Sequence, residues 1–100
     1  MEITMEKYSY VYILASKRNG TLYIGATTDL QKRVWEHKHT SISKFTHQYK
    51  VFKLVYYETY DELEFAFTRE RQIKKWKRAW KIELIEKLNP YWRDLYRDIY

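Results

Sequence analysis

The chain has 100 residues, enough for one domain spanning residues 1–100 around one modest core. It has no cysteine, which excludes disulfides and thiolate metal sites and fits a reducing, cytoplasmic setting. Its net charge of +6 attracts polyanions, with nucleic acid the first partner class and an anionic membrane surface the second. Only two glycines and one proline argue against a loop-rich or disordered chain. Aromatic residues make up 19% of the chain, with eleven tyrosines, and a tyrosine can pack its ring while still offering a hydroxyl. Glu2, Thr4, Glu6 and Lys7 interrupt any signal-peptide core, and the apolar run Tyr10–Ala15 is too short to span a bilayer, so no membrane-spanning segment is read and DNA, rather than a membrane, is the expected partner.

Residues 8–15 are β-branched and aromatic and read as a strand. Asn19-Gly20 reads as a two-residue hairpin loop of the type that needs positive φ at both positions. Residues 21–26 then return as the second strand. This loop sets Ser16 opposite Tyr23 and Leu14 opposite Gly25. Alternation puts Tyr10, Tyr12, Leu14, Tyr23 and Gly25 on one sheet face, and Val11, Ile13, Leu22 and Ile24 on the other.

Thr28-Asp29-Leu30-Gln31 has the form of a capping box with Thr28 as N-cap, opening a helix over about 29–38. Leu30, Arg33, Val34 and His37 share one face of it, so Arg33 and His37 are carried toward the sheet with the two aliphatic residues. Residues 39–50 are polar and mixed and read as a surface loop that includes His39 and His47. Residues 51–58 read as a third strand, followed by a second capping box at Thr59–Glu62. The next helix carries Leu63, Ala66, Phe67, Glu70 and Ile73 on one stripe. A carboxylate inside an apolar stripe is costly unless paired or bound to a metal. Pairing of Glu70 with Lys74 one turn on is the simpler alternative.

Arg69, Arg71, Lys74, Lys75, Lys77, Arg78 and Lys81 form the basic centre of the chain, with Trp76 and Trp80 interleaved, and Arg69, Lys74, Lys75, Lys77 and Arg78 are its candidate nucleic-acid contacts. Such a run is either a solvated face or a nucleic-acid contact surface. Residues 79–88 continue as helix, with Trp80, Leu84 and either Leu88 or Ile85 inward. Asn89-Pro90 reads as the N-cap and first position of a last helix, in which Tyr91, Trp92, Tyr96 and Tyr100 offer a protein-interaction surface as a third option.

Taken together these residues resemble the GIY-YIG endonuclease superfamily, in its small stand-alone bacterial branch. Tyr10-Val11-Tyr12 stands at the first triplet, with Tyr10 in place of its glycine, and Tyr23-Ile24-Gly25 matches the second. The segment Asp29–Val34 is similar to the helix bearing the family's arginine, Glu70 stands where the family has a metal-binding glutamate, and Asn89–Leu95 is similar to the branch's tail. The resemblance implies an α+β fold, a three-stranded antiparallel sheet flanked by helices. It implies hydrolysis of DNA phosphodiester bonds with a divalent metal, Mg²⁺ or Mn²⁺, in DNA repair or processing. Glu70 would hold the metal, which stabilises the leaving oxygen. Arg33 would contact the phosphate with its planar fork of donors. Tyr23 would take a proton from the attacking water, Tyr12 would hold the phosphate or the other phenol, and His37 would relay protons. Asn89 would be either a structural cap or a site residue. The alternative is a nucleic-acid-binding module of the same fold with little or no catalysis. Protein partners are not defined by the sequence.

Overall fold

The computed structural model describes residues 7–99, so the N-terminal stretch read for a signal peptide falls mostly outside the described residues, and Tyr100 falls outside them entirely. Three antiparallel strands, β1 (Ser9–Ala15), β2 (Leu22–Thr27) and β3 (Lys53–Tyr60), form one sheet in the order β2-β1-β3. Helices α1 (Leu30–His39), α2 (Lys44–Tyr49), α3 (Leu63–Lys74) and α4 (Arg78–Leu88) flank it, and a short 3₁₀ turn spans Leu95–Asp98. This is the expected α+β architecture. No described helix is long and apolar enough to cross a membrane.

The sheet separates two apolar layers. On one face Tyr12, Leu14 and Leu54 pack against Leu30 and Val34 of α1, with Leu95 and Ile99 at the edge. On the other face Val11, Ile13, Ile24 and Tyr56 pack against Ala66 and Ile73 of α3, Ile85 of α4 and Trp92. The division follows from strand alternation, since odd and even positions of β1 point to opposite sides.

The hairpin register is displaced by two residues from the expected one. Leu14 faces Tyr23 and Tyr12 faces Gly25. The loop is four residues long: Ser16 N–H donates to the Thr21 carbonyl at 3.0 Å, and Gly20 N–H to the Lys17 carbonyl at 2.9 Å. Asn19 alone takes a positive φ, 57°. Gly20 serves space rather than rotation, because a Cβ there would lie 2.3 Å from Ser16 Oγ. A slip of two residues preserves the side-chain faces, whereas a slip of one would have reversed them.

Other boundaries move for local reasons. Asp29, not Thr28, caps α1, accepting from Lys32 N–H at 3.1 Å. Glu62 stands at the start of α3 with no side-chain cap bond, while Thr59 lies within β3. The polar stretch 39–50 contains α2, capped by the Ser43 hydroxyl. On the α3 stripe Ala66 and Ile73 are buried but Phe67 is exposed, and on α4 Ile85 is buried while Trp80 and Leu88 face outward. No helix begins at Asn89. That residue closes the C-terminus of α4, and Asp94 caps the 3₁₀ turn that follows.

Asn89 is buried and structural. Its Nδ2 donates to the Val55 carbonyl at 3.1 Å and to the Arg93 carbonyl at 2.9 Å, and its Oδ1 accepts from Arg93 N–H at 3.0 Å. The β1–β3 ladder is irregular between Ile13, which faces Tyr56, and Leu14, which faces Leu54, so Val55 is the extra residue. A bulge frees a backbone group from the ladder, and Asn89 satisfies it. The turn beyond also holds Trp92 at φ 58° with its ring fully buried, which removes Trp92 from any outward interaction surface.

Candidate active site

β1 and β2 bring Tyr12 and Tyr23 to one face with ring centroids 6.2 Å apart, and α1 lays His37 across both, 5.8 Å from Tyr12 and 5.1 Å from Tyr23. Tyr12 and His37 are each only 2% exposed. The Tyr12 ring lies directly over its cross-strand neighbour Gly25, where a Cβ would stand 2.4 Å from the phenolic oxygen. The glycine of the second triplet is therefore the floor on which the first triplet's tyrosine rests.

A hydrogen-bond chain runs from the Ser43 carbonyl through Thr46 and His37 to Tyr12. Thr46 Oγ1 donates to the Ser43 carbonyl at 3.3 Å and lies 3.0 Å from His37 Nδ1. The hydroxyl proton being used, Nδ1–H donates to Thr46. Burial, and secondarily the Arg33 charge, lowers the His37 pKa to about 4, so the imidazole is neutral near pH 7 and Nε2 is bare. Nε2 then accepts the Tyr12 hydroxyl at 3.0 Å. With both ring nitrogens engaged and the ring uncharged, His37 holds Tyr12 in place. Thr46 is a member of this chain that the sequence reading missed, because it sits in the segment read as loop.

Burial, reinforced by Tyr23, pushes the Tyr12 phenol well above the ordinary tyrosine range, so Tyr12 keeps its proton. Two distant charges act on the same phenol, Arg33 lowering its pKa and Glu70 raising it. Tyr23 and His37 thus pack directly against Tyr12, whereas Arg33 and Glu70 reach it only through their charges, Glu70 from α3, which packs along the edge strand β2.

Arg33 is not carried inward. It stays at the rim with a 42% exposed side chain, its Nε 3.5 Å from Glu36 Oε1, and it lines a polar cleft with Lys32, Thr28 and Asp29. Its length lets a residue on the flank of the buried stripe reach solvent. Glu70 has a 16% exposed side chain and does form the simpler pair, with Lys74 Nζ at 3.3 Å. No group of three or more His, Asp or Glu side chains gathers for a metal among the described residues. Glu70 as a lone carboxylate fits an ion that takes one carboxylate, several waters and substrate phosphate oxygens, which is the habit of Mg²⁺. Tyr10 is half-buried and packs at the edge of the α1-side layer, where it lines a separate cavity with Tyr8, Tyr57 and Ile99, away from the Tyr12–Tyr23–His37 cluster.

The basic run is mostly committed to the fold. Arg69 grips Glu58 through Nε and Nη2, both at 3.0 Å, and lies 4.9 Å over the Trp76 ring. Glu58 also accepts from the Tyr60 hydroxyl at 2.7 Å and from Tyr56. Burial works to raise the Glu58 pKa, but the hydrogen bonds from Arg69, Tyr56 and Tyr60 outweigh it and hold the carboxyl below its usual range. Arg78 clamps the hairpin turn, donating to the carbonyls of Asn19 and Gly20 at 2.6 Å each. Lys75 is exposed at the end of α3, and Lys77 lies 5.7 Å over the exposed Trp80 ring.

The fold and the cluster define a protein of the three-stranded, two-tyrosine kind, and residues 8–83 match the family model of the GIY-YIG catalytic domain. The chain belongs to the GIY-YIG family. It is 43% identical over 83 residues to a UPF0213 protein of Syntrophus aciditrophicus, covering 82% of this chain and 93% of that one. A UPF0213 protein of Haloquadratum walsbyi is 38% identical, covering 82% of this chain and 91% of the relative. The stretch aligned with this chain makes up nearly the whole of these relatives, which are themselves small proteins. The solution NMR structure of a UPF0213 protein from Bacillus halodurans superposes with a TM-score of 0.54 at 29% identity, covering 87% of this chain and 92% of that structure.

Proposed function

We propose that this chain is a metal-dependent endonuclease that hydrolyses DNA phosphodiester bonds, acting in the cytoplasm in DNA repair or processing. Membership of the GIY-YIG family supports a nuclease-like character. The observation that carries the reading is the convergence on one phenol: Tyr12 lies 3.0 Å from His37, beside Tyr23, under the opposed charges of Arg33 and Glu70. A divalent ion on Glu70 would supply Lewis acidity at the leaving oxygen. Tyr12, protonated and pinned, positions its partner. Tyr23, half-buried beside Tyr12, would take a proton from an attacking water as its phenolate, after its own proton has passed to solvent. Arg33 at the rim is free to turn from Glu36 to a phosphate, since an exposed pair of this kind contributes little. His37 fixes Tyr12 and carries no charge in the reaction.

Cleavage of single-stranded, duplex and branched DNA with Mg²⁺ or Mn²⁺, by the wild type and by Tyr23→Phe and Glu70→Ala, tests this. Loss of cleavage in both variants is expected. Activity that survives both changes removes the mechanism. The Glu70–Lys74 pair favours a second reading, a binding module of the same fold. In that case cleavage is absent throughout while salt-dependent DNA binding remains.

A further inference from the structure

The stretch between Glu36 and Glu58 has no acidic residue, yet it carries Lys38, Lys44, Lys50 and Lys53 and all three histidines of the chain. Helix α2 lies within it and is anchored at the site by Thr46, whose hydroxyl meets His37. Its other side is aromatic and open. Phe45 and Tyr49, one turn apart, are 43% and 50% exposed. Their ring centroids are 4.9 Å apart, and Phe45 lies 6.2 Å from Tyr23. Rings so placed extend the surface of Tyr23 outward as a continuous aromatic ledge. Lys44 opens α2 and Lys50 caps its C-terminus, one residue before Phe45 and one after Tyr49. Exposed rings running unbroken from a phosphate-handling cluster into an acid-free, lysine-flanked surface suit a polyanion that also presents π-faces.

We propose that Phe45 and Tyr49 form a stacking subsite for an unpaired nucleobase of the strand whose phosphate lies at Tyr23. A base within a duplex has both faces covered by its neighbours, so only an unpaired or extruded base can lie on the ledge. Lys44 and Lys50 then contact the phosphates on either side of that base. The subsite rests on the nucleic-acid reading above and gives it a substrate preference for DNA with an unpaired stretch at the cut.

The test is binding of a short labelled single strand, and of the same sequence as a blunt duplex, followed by fluorescence anisotropy in EDTA so that nothing is cut. Phe45→Ala and Tyr49→Ala are each expected to weaken single-strand binding by about tenfold, within the range of base–aromatic stacking. Duplex binding should move less than twofold, and Tyr49→Phe, which keeps the ring, should bind as the wild type does. A 2-aminopurine placed along the strand should be quenched at one position by the wild type and not by Tyr49→Ala. Thermal melts show whether α2 is intact in each variant, and the exposed Tyr49 carries the argument if Phe45→Ala melts early. Equal losses on duplex and single strand, no loss on either, or no binding by the wild type overturns the proposal. So does concentration-dependent self-association in sedimentation that Tyr49→Ala abolishes, since a second copy then occupies the ledge. Because these readouts need no metal, a cleavage assay that fails beside a stacking effect that holds sinks the nuclease reading and leaves the subsite standing.

Discussion

Gly25→Ala is the sharpest test of how the two triplets depend on each other. The added Cβ would meet Tyr12 at 2.4 Å from the hydroxyl oxygen, 2.5 Å from Cζ and 2.9 Å from Cε1. Ordinary contact begins near 3.4 Å, so the ring must retreat by about 1 Å. It is buried, and its hydroxyl is tied to His37 at 3.0 Å, so the retreat strains the layer beneath α1 and breaks that bond. Overpacking of this size costs about 1–3 kcal/mol and the lost hydrogen bond about 1 kcal/mol more. A domain of this length loses about 4–8 °C of Tm per kcal/mol, so a fall of about 8–30 °C is expected in a thermal melt. The effect should be specific to the pair. In Tyr12→Leu, which removes the ring, adding Gly25→Ala should cost far less than it does in the wild type, giving a large coupling in the double-mutant cycle. Additive losses, or a Gly25→Ala melt within 2 °C of the wild type, roughly within the noise of an uncoupled surface change, would refute the reasoning.

Further outcomes follow from the same geometry. His37, with a pKa lowered to about 4 by burial, should remain neutral in an NMR titration from pH 8 to about 5. Unfolded chains bind this proton near pH 6.5, so the contribution of the neutral imidazole to stability is complete above that value and is lost as pH falls toward 4. Thr46→Val keeps the shape of the side chain and removes the acceptor of His37 Nδ1–H, so ¹⁵N shifts should show a change of tautomer while stability falls by about 1–2 kcal/mol. Asn89→Ala leaves the Val55 bulge carbonyl unsatisfied and should lower stability by about 2–3 kcal/mol in denaturant melts, without a pH-dependent component. Charge reversal at Lys75 and Lys77 should reduce the salt slope of DNA binding by about two, whereas Arg69→Glu should unfold the Glu58 cluster instead. An unchanged slope would mark Lys75 and Lys77 as solubilising only.

Much of the site could be read from spacing alone. Alternation along two strands placed Tyr12, Tyr23 and Gly25 on one face, and this survived a hairpin register displaced by two residues because the side-chain period is two. The i, i+4, i+7 spacing of Leu30, Val34 and His37 likewise put the imidazole into the core. Local patterns determine these facts, since a strand or a helix turns each side chain by a set angle from the last. Charge and hydrogen bonding between segments follow no such period. Spacing cannot tell whether Arg69 faces DNA or Glu58, whether Arg78 is free or clamps a turn 58 residues earlier, or that Asn89 answers a bulge in β3 rather than starting a helix. Nor does a polar stretch announce that one of its threonines will be buried against a histidine. The sequence by itself determined which faces the two tyrosines, the glycine and the histidine share. Only the tertiary structure decided which polar groups meet, because those partners are chosen by the need to satisfy each buried donor and acceptor with whatever the packed chain brings within reach.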